Sequence, residues 1–359
     1  MTAISKSTRE QIRVPYALRH VPRSSLAELL PLPVSPQSGD IALARLKKMG
    51  RNARLELTDG RRCNLHEGDV LAVVFGNRYA TGQFEGYANT DGEDCDLLSM
   101  AGVCGLVASR HAEIAGPTRL HLLGAVADST GTRLRLRDFS LTPKLAPRQP
   151  RIVVVCGSSM DSGKTHTAMS LVIGLKRQGS RVASIKLTGT ASGRDTWTLL
   201  DAGASPSLDF VDGGFPSTYL CEIEELLHLY QLLVDRAAAE DADWVVIEIA
   251  DGVFQSETAE LMRSPRFTST VDAWVLAAGE AFAAAGCVST VRDMGIEPLA
   301  VSGRLSMSPL GVREAEAATG LPCLTAAELQ RGDLNERLTY SQQADHLHAR
   351  LGETAVRAL

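Results

Sequence analysis

Gly157-Ser158-Ser159-Met160-Asp161-Ser162-Gly163-Lys164-Thr165 is a run of residue types suited to holding phosphate. Glycine at each end lets the backbone turn tightly and approach an anion. Successive N–H groups and a helix N-terminus then face that anion. Lys164 can reach the β- and γ-phosphates as a point charge. Thr165 can offer its hydroxyl to Mg²⁺. His166, next in the chain, joins the candidate nucleotide contacts, although a helix-surface position suits it as well.

Residues farther along the chain complete the candidate site. Lys186 ends the run RVASIK, and Glu248 ends the run WVVIE. Lys186 can neutralise charge on a transferring phosphoryl group or pair with a nearby acid. Glu248 and Asp195 join Thr165 as candidate Mg²⁺ ligands, direct or through water. Asp195 also suits a helix N-cap, and Asp251 competes with Glu248 for the metal. Arg304, after a late strand pattern, is a candidate contact to a nucleobase or acceptor.

These residues need a scaffold that brings strand ends together, and the pattern from 150 onward supplies one. Arg151-IVVVC-Gly157 reads as a buried parallel strand, with an amphipathic helix after the loop. Arg181-VASIK-Leu187, Asp243-WVVIEIA-Asp251, Asp272-AWVLAAG-Glu280 and Ile296-EPLAVSG-Arg304 read as further strands. Helix patterns run from Glu222 to Glu240 and from Ala281 to Gly295, and Glu257 to Arg266 reads as a surface helix. Gly320 to Leu324 reads as a short strand, with a final helix from about Asp333. Strands alternating with helices predict an α/β fold with a mostly parallel sheet covered by helices. In such a sheet, ligands bind at the carboxyl ends of the strands.

The proline-rich stretch Leu141 to Arg151 divides the chain. Residues 1–145 are expected to form a smaller, mostly β domain, and 150–359 the P-loop domain. Candidate strands in the first are Ile41 to Leu46, Ala53 to Leu57, Val70 to Phe75, Tyr79 to Tyr87, Leu120 to Val126 and Thr132 to Phe139. Turn pairs such as Asp59-Gly60 and Thr130-Gly131 separate them, in the manner of a small barrel. Pro22 to Pro36 reads as irregular.

Five residues separate Gly157 from Gly163, where the ordinary P-loop has four. This longer loop, with an acid at Asp161, resembles the dethiobiotin synthetase branch of P-loop enzymes. In that resemblance Lys186 matches a lysine near substrate and phosphate, Asp195 a metal-binding aspartate, and Glu248 a glutamate near the metal. The segment IKLTGTASGRDTWTLLDAGAS is also similar to the molybdopterin-guanine dinucleotide biosynthesis B protein. The DUF1611 family, whose P-loop domain likewise follows a non-P-loop domain, is a third resemblance. Together they imply ATP and Mg²⁺ as cofactors and phosphoryl transfer to a small-molecule acceptor, an anionic one, by a carboxylate kinase or ATP-dependent ligase. Lys164, Lys186 and Glu248 would be its catalytic residues. The alternative is a nucleotide-hydrolysing accessory protein that acts on a protein partner or cofactor pathway.

Composition narrows the partners. The chain has 359 residues, with 37 basic and 42 acidic side chains for a net charge of −5. No basic run favours nucleic acid, and no apolar run is long enough for a membrane span. The amino-terminal residues lack the apolar core of a signal peptide. Seven scattered cysteines without Cys-x-x-Cys spacing agree with a cytoplasmic location. A homodimer is compatible with this reading.

Overall fold

The computed structural model describes residues 2–146, 148–334 and 338. They form two compact units. The first takes the described residues within Met1–Leu145, Lys186–Trp197 and Leu208–Arg236, and the second those within Ala146–Ile185, Thr198–Ser207 and Ala237–Leu359. The expected final helix from Asp333 lies almost wholly outside the described residues.

The first unit is built on short strands: β1 (Thr2–Ala3), β2 (Glu28–Leu30), β3 (Ile41–Lys48), β4 (Arg54–Glu56) and β5 (Arg62–Asn64), then β6 (Val70–Phe75), β7 (Phe84–Tyr87), β8 (Asp94–Leu97), β9 (Val103–Arg110) and β10 (Thr118–Ala127). One helix, α1 (Lys6–Gln11), lies near the amino end. β10 pairs with β3, β3 with β6, β6 with β9, β9 with β8, and β8 with β10 again. That circuit closes a small barrel, which removes sheet edges over the paired length. Every pairing in it is antiparallel except β6 with β9. Inside lie Ala44, Leu46, Leu71, Val73, Phe75, Cys95, Leu97, Cys104, Leu120 and Leu122, all buried. Period-two alternation places them there. Leu120 and Leu122 face inward, while Arg119 and His121, which alternate with them, are half-buried.

The expected strand from Thr132 to Phe139 is corrected. Its alternation is real, since Leu134 and Leu136 are buried. The segment nevertheless makes only isolated bridges at Arg133 and Arg135, and then turns as a 3₁₀ helix over Leu136–Phe139. The Asp138 carboxylate accepts from the Arg135 backbone N–H and fixes that turn. Within the stretch expected to be irregular, β2 pairs with β10.

From the linker onward the elements alternate: β11 (Arg151–Gly157), α2 (Lys164–Arg177), β12 (Val182–Lys186), α3 (Gly193–Asp201), β13 (Ser207–Asp209), α4 (Ile223–Ala239) and β14 (Trp244–Glu248). Next come α5 (Ser256–Arg263), α6 (Pro265–Thr268), β15 (Ala273–Ala277), α7 (Ala281–Asp293), β16 (Ala300–Ser302), α8 (Pro309–Thr319) and α9 (Ala326–Arg331). The second unit's strands run in the order β12–β14–β11–β15–β16. β11 is parallel to both neighbours, with Val155 opposite Glu248 and Gly157 opposite Ala277. β-Branched residues fill these strands, and Val153, Val155, Val246 and Val275 are fully buried against Ala168, Leu171 and Val172 of α2. The fold is therefore α/β, with a parallel sheet covered by helices, as expected.

Two expectations in this unit are corrected. α5 is not a surface helix: Thr258, Ala259, Leu261 and Met262 are buried. Its polar start is absorbed by hydrogen bonds, such as Thr258 Oγ1 to the Ala250 carbonyl at 2.8 Å. The segment near Cys323 makes a single parallel bridge to Val301 rather than a strand.

Candidate functional site

The register of the parallel sheet sets the loops after β11, β14, β15 and β16 side by side. The loop from Gly157 to Thr165 leaves β11 and enters α2 through Gly163, whose φ is 101°. That left-handed backbone suits glycine. A Cβ there would also meet the Arg304 nitrogen and the Gly303 Cα at 2.9 Å. The Arg304 backbone N–H donates to the Ser162 carbonyl at 2.9 Å, so the segment after β16 braces the loop. Arg304 thus serves through its backbone, and its side chain is exposed. Ser158 N–H donates to the Ala277 carbonyl at 3.0 Å, which anchors the near side of the loop on β15.

Lys164 is buried, and its ammonium donates to the Ser159 carbonyl at 2.7 Å and to the Asp251 carbonyl. Thr165 Oγ1 donates to Glu248 Oε1 at 3.0 Å. Glu248 is 2% exposed, and its Oε2 has no hydrogen-bond partner among the described residues. Ser162 Oγ is likewise buried and unpartnered. Met160 is half-buried, Ser159 and Asp161 are exposed, and Asp161 holds a φ of 60°. His166 is exposed on α2.

The segment after β14 lies against the loop. Val253 N–H donates to the Gly157 carbonyl at 3.0 Å. A Cβ on Gly252 would meet the Ser158 carbonyl oxygen at 2.6 Å and the Ser159 Cα at 3.0 Å. The contributions of Asp251 and Gly252 are backbone contributions. Only the Asp-Gly pair following the Glu248 strand hinted at them in the sequence.

The second cluster belongs to the first unit. Lys186 and Asp195 form a direct ion pair. Asp195 sits in the first turn of α3 rather than at its N-cap. Nearby, Glu56 is 2% exposed and accepts from the Gly193 N–H at 3.0 Å. Burial pushes the Glu56 carboxyl above the usual carboxylate range, against that hydrogen bond. Arg19 bridges Asp209 and Asp212, 2.7 Å from each, and His20 Nε2 lies 2.5 Å from Asp212. Tyr16 OH is 2.7 Å from Asp209, and burial with the Asp209 charge raises its phenol well above its ordinary value. This network of Tyr16, Arg19, His20 and Glu56 with acids far along the chain gave no local signal in the sequence.

No family model matches the chain, and no curated protein does. Solved structures do. The signal recognition particle 54 kDa protein from Aeropyrum pernix K1, in complex with GDP, is 20% identical at a TM-score of 0.38, covering 58% of this chain and 50% of that one. The signal recognition particle receptor FtsY from Elizabethkingia anophelis is 17% identical at a TM-score of 0.34, covering 50% and 59%. The matched region thus spans half to three-fifths of those proteins. Likeness at this level fixes no activity or partner.

The family expectation is corrected on these matches. The matched structures are signal recognition particle proteins, not members of the dethiobiotin synthetase, molybdopterin-guanine dinucleotide biosynthesis B or DUF1611 types. The reading as a small-molecule kinase, ligase or other transferase falls with it, as do its ATP and Mg²⁺ cofactors and its small-molecule acceptor. There is also a physical reason. A strand–loop–helix phosphate site is common to many nucleotide-binding proteins, so the loop alone names no reaction. Lys186, meant to meet an anionic acceptor, spends its charge on Asp195.

Proposed function

We propose that the chain binds a nucleoside triphosphate at the loop from Gly157 to Thr165, hydrolyses it, and acts through its nucleotide state on a protein partner. The observation that carries this reading is the buried, unpartnered Glu248 Oε2 beside Thr165. An uncompensated buried carboxylate is costly. A divalent cation bound together with phosphate oxygens would compensate it, because hard cations take oxygen ligands and keep several waters. Among the described residues no group of three or more His, Cys, Asp and Glu could hold a metal alone. Thr165 and Glu248 therefore fit a cation shared with the nucleotide. Such a cation neutralises charge on the phosphates. The role uses these two residues and leaves Asp195 with Lys186.

The chain's own residues supply the rest. The loop amides and the Ser162 hydroxyl are donors for phosphate oxygens, and Lys164 adds a positive charge. In the structure that charge is held by the Ser159 and Asp251 carbonyls. A phosphate competes for the same ammonium, so its arrival draws Lys164 away from Asp251. The segment through Gly252 and Val253, packed on the loop, then registers whether phosphate is present. Phe254, at its end, is 79% exposed and accessible to another molecule. That coupling favours an accessory protein. No helix among the described residues is long and apolar enough to cross a membrane. The seven cysteines are thiols outside any disulfide and six are buried, which suits a cytoplasmic setting.

The test is hydrolysis by the purified chain with GTP and with ATP, each with and without a divalent cation. Nucleoside diphosphate and free phosphate should appear in equal amounts with no acceptor added. Diphosphate forming without matching free phosphate, or no binding of either nucleotide, overturns the reading.

A further inference from the structure

The barrel of the first unit opens at one corner. β8 pairs with β9 at Leu97↔Cys104 and Asp96↔Gly105. It pairs with β10 over four positions, from Thr118↔Leu97 to His121↔Asp94. It therefore follows β10 and parts from β9. Beyond that point, residues 106–110 of β9 pair with β7 alone among the described residues. Ala108, Ser109 and Arg110 are exposed. A strand paired on one side presents a row of backbone donors and acceptors on the other.

That second side lines a groove of about 700 Å³. Its opposite wall comes from the end of β3 and the start of β10, including Lys48 and Arg119. The lining carries three cations, Lys48, Arg110 and Arg119, against one carboxylate, Asp96. Asp96 is already engaged: it accepts from Arg119 Nη1 at 3.1 Å and from the Val107 N–H at 2.9 Å. Arg110 Nη1 donates to the Ile114 carbonyl at 3.1 Å. The Lys48 ammonium makes no hydrogen bond or ion pair among the described residues. Lys48 and Arg119 lie directly opposite in the β3–β10 register. Arg119 already faces three carboxylates, Asp96 at 3.1 Å, Asp91 at 3.5 Å and Asp94 at 3.8 Å, so the groove's available positive charge sits on Lys48 and Arg110.

We propose that this groove takes an extended acidic segment of a partner protein, added as a strand along residues 108–110 of β9. The strand edge supplies main-chain hydrogen bonds, and Lys48 and Arg110 select for acidic side chains. A nucleic acid would meet the cations but has no peptide groups to match the edge, so the combination favours a peptide. The groove needs no nucleotide, so it stands or falls separately from the phosphate loop.

The test uses the full chain without nucleotide and a fluorescein-labelled peptide of alternating Glu and Val, read by fluorescence anisotropy. The peptide should bind, more weakly as salt rises. Lys48→Glu and Arg110→Glu should each weaken it about tenfold with unchanged melting temperature. Because both positions are exposed, one variant keeps the test open if the other folds poorly. The same peptide N-methylated at alternate residues should lose binding, since its donors to the edge are gone. The proposal is overturned if the acidic peptide does not bind up to millimolar concentration, or if a Lys–Val peptide binds equally. Undiminished binding of the N-methylated peptide, or preferential binding of a single-stranded oligonucleotide, also overturns it.

Discussion

Thr165 and Glu248 are 83 residues apart in sequence, yet the Thr165 hydroxyl donates to the Glu248 carboxylate at 3.0 Å. The parallel register of β11 with β14 makes this contact, because it sets Glu248 opposite Val155, two residues before the phosphate loop begins. Glu248 keeps one oxygen buried and unpartnered. Glu248→Gln retains the shape and removes the charge. Triphosphate hydrolysis should fall by about 10²-fold and require more divalent cation. Without cation and nucleotide, the variant should melt at the same or a higher temperature, because an uncompensated buried charge is gone. Unchanged cation dependence in steady-state hydrolysis would remove Glu248 from the site.

In the proposed reading Lys164 links loop and nucleotide. Lys164→Ala should lose most triphosphate affinity, measured by calorimetry, while circular dichroism stays unchanged. It should also free the segment at Asp251 in the absence of nucleotide. Hydrogen exchange at residues 250–254 should then speed up in the variant, and in the unaltered chain it should change when nucleotide binds. Equal exchange in all these states would show that Lys164 does not couple the two segments.

Gly252→Ala tests that packing from the other side. The added Cβ would meet the Ser158 carbonyl oxygen at 2.6 Å, and backbone cannot move as a flexible side chain does. Overpacking of this kind costs about 1–3 kcal/mol. Chemical denaturation should show that loss, and nucleotide affinity should fall further than for an alanine introduced at exposed Gly279, where nothing lies within 4 Å. Full stability and affinity would mean that the segment is not seated on the loop.

Much of the P-loop unit was legible because its signals are contiguous. The runs that became β11, β12, β14 and β15 are apolar and β-branched, and their limits shifted by at most a few residues. The strand–loop–helix placement of Gly157 to Thr165 was legible for the same reason. Backbone roles were not: the Asp251 carbonyl and the Arg304 N–H act whatever side chain they carry. β9 was missed because it changes character along its length, buried at Val103 and exposed from Ala108, where among the described residues only β7 pairs with it. The leucine–arginine alternation around Leu134 suggested a strand where a hydrogen-bonded turn achieves the same burial. The ion pairs of Arg19 and Lys186 depend on tertiary approach, which residue spacing does not reveal.

Asp212 offers a test by pH. Its carboxylate is buried, which alone would raise its pKa. The His20 hydrogen bond and the Arg19 charge outweigh that and hold it below the usual carboxylate range. A carboxyl depressed on folding adds stability above its unfolded pKa of about 4, and that stability is lost as pH falls through the folded value. Asp212→Asn cannot titrate and should be less stable at neutral pH, where it forgoes the ion pair. Melting temperatures of the two proteins should therefore converge as pH falls below about 4. If the gap between them stays constant from neutral to pH of about 3, Asp212 does not carry this charge-dependent stability, and the Arg19 and His20 contacts act only as packing.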